Sequence, residues 1–318
     1  MGKILVKKQI CFVSFILCGF IFSCNQSEST KTTSTTSISE NTTEVKTEAK
    51  KQKTILSSEF KKYWYAGEAE ISSYKLEQAR YGEIREGSAV LIFVTEDFLP
   101  QKQVKADHQN AENVPILKLN ATKNFNTGIY PYSIMQSVFY PISNNQHALK
   151  VSNSIQEWCG HVYAQLNNRA QFEITSHSYF EGEADEKFNL RKTVLENELW
   201  TQLRIDPKSL PVGELKIIPS LEFTRLKHVP LKAFQATASL NKSTYSIHYP
   251  ELNRTLSITF NPEFPFDILS WEESFKSGFG QNANILTTKA TKLKTIKSAY
   301  WKKNNNENEK LRASLLLD

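Results

Sequence analysis

The sequence predicts a mainly β protein: a large curved antiparallel sheet or half-barrel, with one packed helix at about residues 191–204. Three observations predict it. About a dozen short segments alternate apolar with polar residues or run apolar throughout, each bounded by Gly, Pro, Asn or Asp. Only one longer stretch carries helical spacing. The chain also holds 19 Phe and 12 Tyr, side chains that suit a pleated, half-buried surface and supply material for a large core. A sheet of so many strands curls, closes or splits into layers. Curling it around the single helix satisfies all three observations.

The chain begins with a distinct leader. Lys3, Lys7 and Lys8 precede a mostly apolar run from Ile10 to Ser23 that ends in Ile21-Phe22-Ser23-Cys24. That run is 14 residues long, whereas a membrane-spanning helix needs about 20. A basic start and a short apolar core are the ingredients of an export signal. The segment resembles the signal of bacterial lipoprotein precursors with its lipobox; Phe22 stands where that pattern usually has a small residue. The resemblance implies cleavage before Cys24 and a diacylglycerol on its thiol. It further implies a cell-envelope protein, with Asn25 after the cysteine favouring the outer membrane, facing the periplasm or displayed at the surface. Two or three acyl chains give a stable anchor, because each buried methylene contributes roughly 0.8 kcal/mol.

Residues 24–54 then form a lipidated cysteine and a tether rich in Ser, Thr, Lys and Glu, too poor in apolar surface to fold. A flexible chain of that length spans roughly 30 Å. The expected organisation is a signal peptide at 1–23, this tether, a β-rich domain at 55–303 and a polar C-terminal tail at 304–318.

Within the domain, Tyr63 to Tyr81 and Glu83 to Phe98 read as long strands. Ala89 to Val94 is apolar at every position, so it is expected to be covered on both faces. Leu117, Leu119 and Ala121 alternate with Lys118, Asn120 and Thr122, and Gly128 suits a hairpin turn to Ile129–Tyr140. Further strands are expected at His147–Ile155, Trp158–Leu166 and Phe172–Tyr179, with Asn167-Asn168 as a turn. In the helix, Val194, Leu195, Leu199 and Leu203 recur at three- and four-residue steps, with Glu196 and Asn197 on other faces and Asp206-Pro207 as the stop. Strands follow at Gly213–Ile218, Leu221–His228, Leu231–Leu240, Thr244–Tyr249 and Arg254–Phe260. Asn261 to Gly280 reads as an aromatic loop that closes the core or lines an apolar pocket. A last strand, Ile285 to Trp301, carries Lys289, Lys292, Lys294 and Lys297. Those lysines suit an edge strand protected from aggregation or a surface for anionic headgroups.

The formal charge is +6; without the three leader lysines it is 36 positive against 33 negative, or +3, too balanced to argue for nucleic acid. Of four cysteines, Cys11 and Cys18 leave with the leader and Cys24 carries lipid, so Cys159 stands alone and the fold is expected to hold without disulfides. Cys159 and His161 lie two apart and share a face on a strand, which is the raw material of a thiol nucleophile and its base. The competing reading is a buried Cys beside a packed Trp158. The six histidines, His108, His147, His161, His177, His228 and His248, show no zinc-like pair spacing, although His161, His177 and Cys159 could meet across a hairpin. Carboxylates come in pairs that acid–base work could use, Glu68 with Glu70 and Glu181, Glu183 with Asp185, and solvated edge charges are the competing reading. No cofactor-binding motif and no nucleophile-elbow, phosphate-loop or metalloprotease motif occurs.

The body, from Tyr63-Trp64-Tyr65-Ala66-Gly67-Glu68 through Trp158-Cys159-Gly160-His161 to Trp271-Glu272-Glu273, is similar to a group of uncharacterised Gram-negative envelope lipoproteins. Some of these carry the label septum formation inhibitor Maf. The N-terminal Ser-x-Ser-x-Arg segment of true Maf nucleotide pyrophosphatases is missing from the start of this body. Strand order also resembles the half-barrels of periplasmic lipoprotein carriers. These resemblances imply a membrane-anchored binding protein for a lipid-like ligand or a protein partner. An envelope hydrolase built on Cys159 and His161 is the second expectation, and a Maf-type pyrophosphatase the third.

Overall fold

The computed structural model describes residues 56–143 and 146–317; Cys24, the leader and the tether lie outside the described residues. Among the described residues sixteen strands form one sheet. In chain order they are β1 (Ala69–Arg80), β2 (Glu83–Leu99), β3 (Val104–Lys105), β4 (Val114–Thr127), β5 (Tyr130–Pro141), β6 (Lys150–Glu157), β7 (Gly160–Asn168) and β8 (Phe172–Ser178). The remainder are β9 (Glu186–Leu190), β10 (Val194–Leu195), β11 (Gly213–Ile218), β12 (Phe234–Asn241), β13 (Thr244–Tyr249), β14 (Arg254–Phe260), β15 (Ile268–Ser277) and β16 (Asn284–Ser298). Neighbours run β10-β11-β12-β13-β14-β15-β16-β1-β2-β4-β5-β6-β7-β8-β9, with β3 on the end of β2. Every pair is antiparallel except β10 with β11.

Helix α2 (Glu196–Ile205) shows that the sheet curls. Its side chains reach Gln136 on β5, Glu70 on β1, Arg254 on β14 and Trp271 on β15. From β14 to β5 is six strand steps, roughly 29 Å if flat at about 4.8 Å per step. One helix is about 10 Å across, so strands that far apart touch it only if the sheet wraps around it. Leu195, Leu199 and Leu203 join the main core, as expected. Glu196 and Asn197 do not fill an outer face, however; both are buried, because the helix is enclosed nearly all round. Val194 and Leu195 pair with Ile217 and Ile218 before the helix starts.

The alternating segments behave as their patterns require. On β14, Arg254, Leu256, Ile258 and Phe260 point inward and the residues between them outward. Five expectations change. Asn167 and Asn168 do not form a turn but end β7, so the turn to β8 falls at residues 169–171. The stretch Leu221–His228 is not a strand but α3 (Leu221–Lys227), whose first turn is capped by Ser220 Oγ accepting the Phe223 N–H at 3.1 Å. Tyr63 belongs to α1 (Ser58–Trp64), capped by Ser57, and the strand after it begins at Ala69. The aromatic loop Asn261–Gly280 contains β15, which puts Trp271 and Phe275 into the core face. The lysine-rich strand is no edge: β16 lies between β15 and β1, joining the two halves of the chain. Beyond it, the tail turns back through α4 (Leu311–Ser314). Leu315 is buried and its carbonyl accepts from Ser73 Oγ on β1.

Candidate functional site

Among the spaces on the concave side of the sheet, two lie on opposite sides of α3. The first is an interior chamber of about 60 Å³ bounded by β1, β4, β5, β14, β15, α2 and α3. Its positions follow from strand phase. Tyr74 and Leu76 point inward on β1, so Gln78 does too; Leu117, Leu119 and Phe125 set the same phase for Lys123 on β4. Trp271 and Phe275 carry Glu273 inward on β15, and Leu256 carries Arg254 on β14. The helices add Glu196 and Glu222.

These charges form a linked network. Arg254 donates through both terminal nitrogens to the two Glu196 oxygens, one bond at 2.7 Å, and through Nε to Glu273 Oε1 at 2.7 Å. Tyr249 donates to Glu196 at 2.7 Å. Lys123 Nζ and Gln136 Nε2 each donate to Glu222 at 2.7 Å, and Gln136 in turn accepts from Asn197. Burial alone drives the Glu196 carboxyl up, but the Arg254 guanidinium outweighs it and holds the group below the usual carboxylate range. For Glu222 burial wins: its carboxyl is pushed up, against the pull of Lys123 and with the neighbouring Glu273 charge adding to the rise. Trp200, Trp271, Phe223 and Phe275 wall the chamber.

The second space is an open groove of about 1080 Å³ between the inner face of β7–β9 and α3 with the loop after it. Val162, Ala164, Phe188, Leu221, Val229 and Leu231 give it apolar walls. Polar groups stand at its rim, where Glu183 is held by Arg225 at 3.2 Å and by His228 at 2.7 Å. Helix α3 divides the two spaces, turning Glu222 and Phe223 to the chamber and Leu221, Thr224 and Arg225 to the groove.

Residues anticipated from sequence are spread widely. Cys24 is outside the described residues. Cys159 and Trp158 form the two-residue turn between β6 and β7, and both are exposed, so the buried-cysteine reading fails because a tight turn projects its side chains to solvent. Gly160, at φ 155°, lets Tyr179 lie against this turn; a Cβ there would meet the Tyr179 ring at 2.8 Å. The Glu157 carboxylate takes the Cys159 N–H at 2.7 Å and pushes the thiol up, the reverse of an activated nucleophile. Among the described residues no hydrogen bond or ion pair joins Cys159 to His161, which is exposed on β7. His177 pairs with Asp185 at 3.1 Å instead, and among the described residues no group of three or more His, Cys, Asp or Glu is placed to hold a metal ion. Glu68 and Glu70 part company: Glu70 is buried against Arg204, while Glu68 stays near the surface. Sequence reasoning passed over Gln78, Lys123, Glu222, Arg254 and Glu273. For the four on strands the available signal was a polar residue standing in the inward phase of an alternating strand; Glu222, on α3, carried none.

No family model matches the chain, and no curated protein matches it. Among solved structures it is similar to a beta-barrel-like protein of a domain of unknown function, DUF1849, from Brucella abortus. That similarity has a TM-score of 0.43 at 7% sequence identity and covers 72% of this chain and 97% of that one.

Proposed function

We propose that this protein is a lipid-anchored binding protein of the cell envelope, held at the outer membrane through Cys24. Its groove takes an elongated apolar or amphipathic ligand, such as an acyl chain. One observation carries the reading. The centre of the curled sheet is filled by α2, yet β7–β9 keep an apolar inner face beside α3, with about 1080 Å³ of open space. Ligand sites are concave and mostly apolar, with a few polar groups that fix orientation, and run to about 1,000 Å³. Arg225 and His228 at the rim suit the polar end of an amphiphile. The resemblance of residues 1–24 to lipoprotein signals supports the anchor, and the tether lets the body reach about 30 Å from it.

The test is direct. Full-length protein is extracted with organic solvent and the extract analysed by mass spectrometry, and the emptied protein is titrated with a fluorescent fatty acid. Ala164→Trp, which fills the groove, is expected to weaken binding at least tenfold with the melting temperature unchanged. Equal binding by Ala164→Trp, or no binding by either protein, overturns the reading. Palmitate labelling that persists in Cys24→Ser overturns the anchor.

A further inference from the structure

The chamber has a hydrogen-bonding deficit that its own residues do not fill. Gln78 is 1% exposed and its Nε2 donates to Thr288 Oγ1 and to the Ala79 carbonyl, but its Oε1 has no partner. Glu273 keeps 8% of its surface exposed; among the described residues its Oε1 accepts from Arg254 and no hydrogen bond reaches its Oε2. Glu196 and Glu222, by contrast, are met on both oxygens. Register places the two deficient groups in one row: Gln78 is bonded to Thr288 on β16, and Thr288 lies opposite Glu273 on β15. Their Cα atoms are therefore roughly 10 Å apart at about 4.8 Å per strand, with both side chains turned into the chamber. Gln78 Oε1 is a buried acceptor that has given up water without gaining a donor, which is unfavourable until a donor arrives.

Charge points the same way. Three carboxylates, Glu196, Glu222 and Glu273, share the chamber with two cations, the buried Arg254 and the half-buried Lys123. The third lining cation, Lys227, stands partly exposed and gives its ammonium to the Lys276 carbonyl. The free sites are thus two acceptors, one of them anionic, inside aromatic walls. A hard divalent ion wants six or more oxygens, which two acceptors do not supply. A compact organic cation wants a carboxylate, a second acceptor and aromatic faces. The chamber's 60 Å³ is several times the roughly 10–15 Å³ that one water needs on the same measure, room for an ammonium bearing a methyl group.

We propose that the chamber binds a primary alkylammonium group, its N–H donors shared between Gln78 Oε1 and Glu273 Oε2. Because α3 separates the chamber from the groove, this site stands or falls independently of ligand binding there. The group comes either from a free small amine or from the ammonium headgroup of a lipid.

The probe is ¹³C-methylammonium, titrated by NMR into the full-length protein against sodium, potassium and tetramethylammonium chlorides at equal ionic strength. Saturable binding is expected for methylammonium only. Glu273→Gln keeps an oxygen for the Arg254 Nε–H and is expected to weaken binding at least tenfold, as is Gln78→Leu. Glu272→Gln, on the outward face of β15, leaves binding unchanged. Ala121→Leu, which narrows the chamber without touching a charge, also abolishes it and serves if a polar variant misfolds. Displacement by lysophosphatidylethanolamine below its micelle concentration assigns the group to a lipid, and displacement by butylamine alone to a free amine. Absence of saturable binding, equal binding of potassium or tetramethylammonium, or unchanged binding in Glu273→Gln overturns the proposal and leaves the chamber a water site.

Discussion

Helix α2 meets the sheet through an arginine–glutamate pair at each end, and the two ends differ in how completely the charges are satisfied. At its C-terminal end Arg204 gives both terminal nitrogens to Glu70, at 2.6 and 2.7 Å, and Nε to the Pro265 carbonyl at 3.0 Å. Tyr63 supplies a further donor to Glu70, and Trp64 and Phe93 lie against the guanidinium. Glu70 is held below the usual carboxylate range: burial raises it, and Arg204 and Tyr63 more than reverse that. At the N-terminal end Arg254 serves two carboxylates and leaves one oxygen of Glu273 open to a chamber. The first arrangement is a lock that fixes the helix across the sheet. The second uses the same residue types and keeps valence in reserve, which is what a binding site requires.

The largest test of that contrast is to break the lock. Arg204→Met leaves Glu70 charged in the core with Tyr63 as its remaining donor, and is expected to cost about 3–5 kcal/mol, whereas the double change Glu70→Met with Arg204→Met recovers most of the loss. Urea unfolding of the three proteins measures both. Equal losses for the single and double changes would show that packing around Arg204, rather than charge pairing, holds that end. The matching change in the chamber is small by design: Glu273→Gln keeps the Arg254 bond, so its expected cost is within about 1 kcal/mol. A loss as large as that of Arg204→Met would make the chamber a second lock.

Stability against pH sharpens the contrast, because the carboxyl of the lock shifts one way while those of the chamber shift both ways. Glu70 and Glu196 lie below their ordinary 4.5 when folded. They bind the proton less tightly folded than unfolded, so the stability they contribute is complete above 4.5 and is lost as pH falls through their folded values. Glu222 is raised above 4.5; it binds the proton more tightly folded, so its contribution is complete below 4.5 and is lost as pH rises through its folded value. Urea midpoints measured from pH 3 to 8 are expected to show a shallower acid limb in the Glu70→Met, Arg204→Met protein. In Glu222→Gln the stability difference from the parent is expected to grow in the mutant's favour as pH rises above 4.5. A difference that shrinks over that window would place the Glu222 charge as net stabilising through Lys123.

How much of this was legible in the sequence depends on distance along the chain. Thr244–Tyr249 and Arg254–Phe260 read correctly because alternation is local and each strand pairs with the next. Leu221–Lys227 misread because seven residues are too few to separate a period of 2 from one of 3.6, and the Ser220 cap was the decisive local signal. The central place of β16 was illegible, since it depends on pairing Ala69 with Ser298, which no local pattern encodes. The chamber was half legible. Arg254, Glu273 and Lys123 occupy inward phases that their neighbours declare, but which polar residues converge is decided by how the sheet curls around α2.

The turn at Cys159 offers the smallest effect and a contrast of its own, with a lone charge partner in solvent instead of in the core. Here an exposed thiol sits beside Glu157, whose carboxylate raises it. Cys159 is accessible, so it is expected to react with iodoacetamide in the native state. Because the thiolate is the reactive form, the rate at neutral pH is expected to be a few-fold below that of an unperturbed cysteine and to climb at higher pH. Glu157→Gln removes the opposing charge and is expected to raise the neutral-pH rate a few-fold while leaving the urea midpoint unchanged, since the turn is at the surface. A native rate already above that of a free thiol, dependent on His161, would show that the hairpin brings the imidazole to the sulfur in solution. That outcome would move the chemistry of this protein from its core to its rim.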